Sequence, residues 1–329
     1  MKARSALYAR GLLTQHTLPC RVISIGNLTV GGTGKTPVVI ALASALRDRG
    51  RRVGVVSRGY KRRSADALLE VSDGRSVRGN PSETGDEPLL IAQRCPGVPV
   101  AVGADRPLAG RHLIERYRID TLIMDDGYQH LALRLDTNIL VLDAGAPFGN
   151  GHLLPRGRLR EPLSAMARAT AVLVTRASQG SRLEEIKAAV RSVAPTVPTW
   201  VTDFAPSALV RVGGSMTVEP SVLKSERVLA VSGIGQPDSF RRLLETAGAT
   251  VMEHCVFPDH HAYSREDVQR VRQAAERVGT GRIVTTEKDA VKLAQFDEVA
   301  KQEVPIWAVR IDLAWLEGFE EWTRGVLQS

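Results

Sequence analysis

Apolar residues along the first part of this chain come in short blocks, each stopping at polar or glycine residues. The runs "RVISIGN", "RVGVVSRGY", "PVAVGADR", "TLIMDDGYQH", "TNILVLDA" and "TAVLVTRA" are β-branched and continuously apolar over strand lengths. Such runs suit strands covered on both faces. Between them, "KTPVVIALASALRDRG" reads as a helix closed by Gly50, and "SRLEEIKAAVRSVA" as an amphipathic helix. Strands alternating with helices predict a doubly wound, mainly parallel sheet, with functional residues at the carboxyl ends of its strands.

Near Thr199 the rhythm changes. "TWVTDFAPSALVRVGG" alternates in the antiparallel style and carries Pro and Gly punctuation. A second α/β run follows in "RVLAVSGIGQPDSF", "GRIVTTEKDAVKLAQF" and "VPIWAVRIDL". The expected organisation is an α/β P-loop domain over residues 1–204, then a smaller α/β domain over 205–329, joined through a short β-type linker.

Composition narrows the chemistry. At 329 residues, with 43% hydrophobic and 24% charged positions, the chain has an ordinary globular make-up. A net charge of +8 and a pI near 9.7 favour an anionic partner. The basic residues are dispersed and aromatics make up only 5%, which argues against a nucleic-acid surface. Cys20, Cys95 and Cys255 form no C-x-x-C pair, so neither a disulfide framework nor a zinc site is expected, and a reducing cytoplasm is the default. The longest apolar run, Pro37 to Leu46, is too short to span a bilayer. The opening "MKARSALYARGLLTQHTLPCR" has Lys2, Arg4, Arg10 and Arg21 but no acid. Tyr8 and Leu12 stand one helical turn apart, which predicts a short basic amphipathic helix, packed on the domain or lying on a membrane surface.

The segment "SIGNLTVGGTGKTPVV" resembles a phosphate loop with Thr29 where the generic pattern has its first glycine. The loop chemistry is otherwise complete. Gly31, Gly32, Thr33 and Gly34 allow backbone N–H groups to turn inward on an anion, Lys35 adds charge, and the Thr36 hydroxyl can ligate Mg²⁺. Pro37 falls in the first helical turn, where its missing N–H costs little. Asp125 and Asp126 end an apolar strand, where adjacent acids call for a cation; either could reach the metal. "TTEKDA" has the letters of a guanine-reading motif in the wrong order, so ATP is favoured over GTP. These residues by themselves admit a kinase, a nucleotide phosphatase or a nucleotide-dependent switch.

Further segments are more specific. "GNLTVGGTGKTP", "SRGY", "GDEP", "GADR", "DDGYQH", "GNGHLLPRGRLREP", "FPDHHAY" and "TTEKDAVK" run in this order from Gly26 to Lys292. Together they closely resemble the tetraacyldisaccharide 4'-kinase family, whose loop also reads "TVGGTGKT". The resemblance implies transfer of the γ-phosphate of ATP, with Mg²⁺, to the 4'-hydroxyl of an acylated glucosamine disaccharide 1-phosphate, forming lipid IVA in lipid A biosynthesis. It further implies a peripheral, monotopic location at the cytoplasmic face of the bacterial inner membrane. No obligate protein partner is expected.

By the same match, Asp86 stands at the family's catalytic aspartate; the residues themselves make it only a turn acid before Pro88. Its partner matches His260, with His261 as the alternate because the neighbours leave the register open. An Asp259–His260–His261 metal-ligand fragment is the other reading of that segment. Arg106 suits a phosphate contact, since a guanidinium binds phosphate through paired N–H groups. Glu87, Gln129 and His130 are matched to the substrate pocket. Arg58, Lys61 and the arginines of "RLREP" are weaker candidates, and His16, His112, His152 and His254 sit in no motif. Cooperation of Asp86 with His260 predicts an active site between the two domains that closes over ATP and lipid.

Overall fold

The apolar runs form strands, and the computed structural model describes them within residues 7–327, apart from residues 9, 61, 63–65, 180, 181 and 302. In chain order the longer elements of the first part are β1 (Arg21–Gly26), α1 (Lys35–Asp48), β2 (Val53–Ser57), β3 (Leu68–Asp73), α2 (Asp86–Arg94), β4 (Pro99–Gly103), α3 (Arg106–Tyr117), β5 (Thr121–Asp125), β6 (Thr137–Asp143), β7 (Ala171–Thr175) and α4 (Leu183–Val193). The rest are β8 (Thr199–Arg211), β9 (Thr217–Val218), β10 (Arg227–Ser232), α5 (Pro237–Thr246), β11 (Thr250–Val256), α6 (Arg265–Val278), β12 (Ile283–Thr286), α7 (Glu287–Leu293) and β13 (Ile306–Glu317).

The chain forms two compact units. The first contains residues up to Gly79, Ile91–Phe204 and the segment from Leu313 onward. Its strands are ordered β8-β7-β6-β1-β5-β2-β4-β3. All neighbours pair in parallel except β3, which lies antiparallel on β4 at the edge. Strands β5, β6 and β7 are buried along their whole length, as their continuous apolar runs require. β1 lies between β5 and β6, and the chain runs from β1 toward β2 on one side and from β6 toward β7 on the other, which opens a crevice at the carboxyl end of β1. That end leads into the glycine loop. Helix α1 follows, burying Val38, Val39, Leu42 and Leu46.

The second unit contains Asn80–Leu90 and Ala205–Asp312. Strands β11-β10-β12-β13 are parallel, with β9 antiparallel to β8. Apolar residues of α6 (Val268, Val271, Ala274, Ala275) join Leu229, Val231, Ile283 and Ile306 in one core cluster. Phe240 and Leu244 of α5 join Val228, Ala230, Val284 and Trp307 in another.

The division differs from a single cut after residue 204. Asn80–Leu90 belongs to the second unit although its flanks belong to the first; the side chains of Asp86 and Glu87 bond to His260 and Lys288 there. The last segment returns to the first unit, where Trp322 meets Trp200 edge-on at a 5.4 Å centroid distance and Trp315 at 5.1 Å. Strand β8 is also not wholly antiparallel: Val172↔Thr199 to Val174↔Val201 is a parallel ladder on β7.

The N-terminal helix stops before Leu12. Leu7 and Tyr8 are helical, and Gly11 closes the turn at φ 69°, with Gly11 N bonded to Tyr8 O and Leu12 N to Leu7 O. This is a Schellman stop, so Leu12 lies beyond the helix rather than on its face. Lys2 and Arg4 lie outside the described residues.

Candidate active site

The loop after β1 shows why threonine serves at position 29. Thr29 bridges to Leu159, while Val30 N donates to Arg158 O at 2.8 Å and Arg160 N to Leu28 O at 2.6 Å. An extended bridge accepts a β-branched residue. The left-handed conformations fall later, at Gly31 (φ 111°) and Gly34 (φ 81°). Gly34 immediately precedes α1, and a Cβ there would run into the Phe204 ring; glycine is required by conformation and by space. Asn27, wholly buried, holds the loop from inside. Its Nδ2 donates to Thr29 O (2.8 Å) and Thr33 Oγ1 (3.0 Å), and its Oδ1 accepts from Lys35 Nζ (3.2 Å).

Asp125 and Asp126 have different surroundings. Asp125 is 1% exposed, and its Oδ2 accepts from Ser57 Oγ at 2.9 Å. Asp126, in the left-handed region at φ 51°, lies 3.4 Å from Lys35 Nζ and 2.8 Å from Arg160 Nη1. Burial works to raise the Asp126 pKa, but the Lys35 and Arg160 cations outweigh it and hold the carboxyl below its ordinary value. Arg160 also donates to Gln129 Oε1 (3.3 Å), and Gln129 Nε2 donates to Asn27 O (2.9 Å) and Glu161 Oε1 (3.1 Å). The structure thus brings Lys35, Asp126 and Gln129 together through Arg160. His130 is half-buried in the following turn, its N–H bonded to Gly127 O.

Arg106 is placed otherwise than a ligand-facing arginine. It is buried at the start of α3, donating from Nη1 to Gly103 O (3.0 Å) and from Nη2 to Asp125 O (3.3 Å). Its guanidinium fixes the backbone that carries the acids. Arg58 is exposed, and Lys61 lies outside the described residues.

These residues fit a magnesium–nucleotide phosphate group. Left-handed glycines before a helix N-terminus, with a lysine inside, form an anion cradle. The buried Thr36 hydroxyl with the Asp125 and Asp126 carboxylates is a hard-oxygen donor set of the kind Mg²⁺ takes.

The second unit holds another constellation. Asp86, 6% exposed, opens α2. Its carboxylate accepts from His260 Nδ1, at 2.9 Å to Oδ2 and 3.1 Å to Oδ1, and Oδ1 accepts from Glu87 N at 2.9 Å. Lys292 Nζ stands 3.8 Å from Oδ2 and is held at 2.9 Å by the wholly buried Asp289. Burial acts to raise the Asp86 pKa; the His260 hydrogen bond and the charges of Lys288, His260 and Lys292 overcome it and drive it well below the carboxylate range. Glu87 binds Lys288 at 2.9 Å. Burial would lower the Lys288 pKa, but Glu87 and Asp86 raise it, so the ammonium is kept charged.

The two histidines separate cleanly. His260, left-handed at φ 59°, turns to Asp86. His261 Nε2 pairs with Asp267 Oδ2 at 2.9 Å and stacks on Phe257 at 4.8 Å, serving the capping box of α6. The two histidines of Asp259–His260–His261 turn to different partners, and among the described residues no group of three or more His, Cys, Asp or Glu side chains is arranged to hold a metal. "TTEKDA" likewise has an internal role: Thr286 caps α7, and Asp289 Oδ2 accepts from Gly233 N at 2.9 Å.

Asn27, Ser57, Lys288 and Lys292 were not singled out by the sequence. Each lies inside a motif segment, Asn27 in "GNLTVGGTGKTP", Ser57 in "SRGY" and the lysines in "TTEKDAVK", and Lys288 and Lys292 also stand four apart on one helix.

Comparison with known proteins agrees with this chemistry. The family model described as tetraacyldisaccharide-1-P 4'-kinase (LpxK) matches residues 1–328. The tetraacyldisaccharide 4'-kinase of Syntrophus aciditrophicus is 42% identical over 305 residues, covering 90% of this chain and 82% of its own. That of Anaeromyxobacter sp. (strain Fw109-5) is 44% identical over 319 residues, covering 96% and 84%. Among solved structures, LpxK from Aquifex aeolicus in complex with ATP matches 99% of this chain and 94% of its own, with a TM-score of 0.76 and 32% identity.

Proposed function

This chain belongs to the tetraacyldisaccharide-1-P 4'-kinase family, and from that premise we propose that it transfers the γ-phosphate of ATP to the 4'-hydroxyl of an acylated glucosamine disaccharide 1-phosphate. The product is the bisphosphorylated precursor of lipid A. Phosphoryl transfer needs positioning, charge neutralisation and an acceptor for the hydroxyl proton. In this reading the N–H groups of Gly31 to Thr36 and the Lys35 ammonium orient the terminal phosphates. Thr36, with Asp125 and Asp126, would hold Mg²⁺, which when bound neutralises phosphate charge. Asp86 takes the proton of the sugar hydroxyl, and His260 keeps that carboxylate aimed and ionised. Glu87, fixed by Lys288, and Gln129 and His130 complete the binding surfaces, while Arg106 supports the backbone beneath the acids.

The observation that carries this reading is the Asp86–His260 pair. A buried carboxylate aligned by an imidazole N–H serves an acceptor proton; a nucleotide-dependent switch has no use for it. Among the described residues no helix is long and apolar enough to cross a membrane. We take the lipid acceptor to be met at the cytoplasmic face of the inner membrane, where exposed Leu7, Leu12 and Leu13 beside Arg10 suit an anionic surface.

The test is an incubation of the full chain with γ-labelled ATP, Mg²⁺ and the tetraacylated disaccharide 1-phosphate in mixed micelles. Label entering the lipid supports the reading. Label released only as inorganic phosphate, with none in the lipid, contradicts it.

A further inference from the structure

The phosphate loop is held on its outer side by residues that neither the loop motif nor the proton-transfer pair includes. A loop that turns its N–H groups inward must turn carbonyls outward, and a buried carbonyl needs a donor. Two such donors come from the end of β7. Thr175, wholly buried, donates from Oγ1 to Thr33 O at 3.0 Å. Arg176 donates from Nη1 to Gly32 O at 3.0 Å.

Arg176 is itself fixed from several directions. Asp143 at the end of β6, 1% exposed, accepts from its Nη1 at 2.5 Å. The guanidinium carbon lies 5.3 Å from the centroid of the Phe204 ring, and that ring fills the space beside Gly34. The Arg176 backbone stands in the left-handed region at φ 54°, a conformation that costs a non-glycine residue energy and persists where surrounding contacts demand it. Thr175 and Arg176 at the end of β7 thus reach Thr33 and Gly32, Asp143 at the end of β6 holds Arg176, and Phe204 within β8 lies against Gly34.

We propose that Thr175 and Arg176, the latter aimed by Asp143, are positioning residues that hold the Gly32 and Thr33 carbonyls outward and so preset the loop's N–H groups for the nucleotide phosphates. The inference rests on ATP being the phosphoryl donor. Their contribution falls on nucleotide affinity: the phosphate contacts are made by the loop, and the outer pins spare the bound state the ordering of that loop. A residue needed only for folding would lower the active fraction instead, and with it kcat, leaving KM for ATP unmoved.

The test uses the full chain and its Thr175→Val, Thr175→Ser, Arg176→Gln and Asp143→Asn variants. Binding of magnesium–ATP is measured by calorimetry, beside kcat, KM for ATP and thermal unfolding. Thr175→Val and Arg176→Gln are expected to raise Kd and KM for ATP by about 3- to 10-fold each, the scale of one buried hydrogen bond, with kcat within about 3-fold. Thr175→Ser keeps the hydroxyl and is expected to restore wild-type affinity; Asp143→Asn is expected to follow Arg176→Gln. Unchanged ATP affinity in folded Thr175→Val, or a fall in kcat with Kd and KM unmoved, overturns the proposal. Thr175→Val conserves volume, so it decides the matter by the same readout should Arg176→Gln fail to fold. A wild-type chain that binds no ATP would sink the kinase reading itself, a result distinct from wild-type binding that the variants leave unaltered.

Discussion

His260 Nδ1 lies 2.9 Å from one oxygen of Asp86 and 3.1 Å from the other, across 174 residues of sequence. An ionised carboxylate can only accept, so the imidazole presents Nδ1–H to it and its tautomer is set. The acid is thereby held in one orientation and kept charged despite burial.

Replacing His260 by alanine is expected to reduce phosphate transfer by about 10- to 100-fold, less than the loss of the proton acceptor itself because the Asp86 carboxylate remains. Affinity for magnesium–ATP should stay within about 2-fold, because the loop that binds it is untouched. Initial rates and calorimetric titration check both halves. His261→Ala is expected to act differently, lowering thermal stability through the cap of α6 by about 1 kcal/mol while sparing the rate.

The depressed pKa of Asp86 links it to acid stability. Its folded value lies below the ordinary carboxylate value of about 3.9. The group therefore stabilises the fold fully above about pH 4, and this contribution is lost as pH falls through the folded value. Denaturant unfolding of the wild-type chain and Asp86→Asn between about pH 6 and pH 2 checks the sign. The stability difference between them should shrink on acidification, by on the order of 2 kcal/mol.

Gly34→Ala tests the loop by conformation alone. Alanine at φ 81° costs about 1–2 kcal/mol, and its Cβ would meet the Phe204 ring. ATP affinity should fall at least about 10-fold. Phe204→Ala combined with it relieves the clash but not the backbone strain, so affinity should recover only in part.

The Glu87–Lys288 pair, 2.9 Å apart and mostly buried, should show coupling in a double-mutant cycle. Glu87→Gln and Lys288→Met are each expected to cost about 1–3 kcal/mol of unfolding free energy, and together less than their sum, because removing one partner leaves the other charge buried.

Much of the fold was written in local pattern. The buried strands are continuous apolar runs, and the glycine loop sits at the end of the first of them. β3 and β11 were harder to see because they are mixed: "LLEVSD" is half-buried at a sheet edge, and in "TVMEHCV" only Val251 is buried while the rest are half-buried or exposed. The allocation of Asn80–Leu90 to the second unit has no local signal at all. It follows from pairings such as Asp86–His260 and Glu87–Lys288, which no periodicity encodes. The loop's inner and outer supports, Asn27, Thr175 and Arg176, were equally silent, since a single polar residue at a strand end looks the same whether it faces water or a carbonyl. The His260/His261 register was open in the sequence and is separated by partners: Asp86 for one, Asp267 and Phe257 for the other.

The most direct test of the account is the single-turnover rate of γ-phosphate transfer to the tetraacylated disaccharide 1-phosphate, measured with ATP pre-bound, in wild-type and Asp86→Asn chains. Loss of the proton acceptor is expected to slow that step by about 100- to 10,000-fold, with ATP affinity nearly unchanged. Transfer to the lipid at the wild-type rate in Asp86→Asn would contradict it.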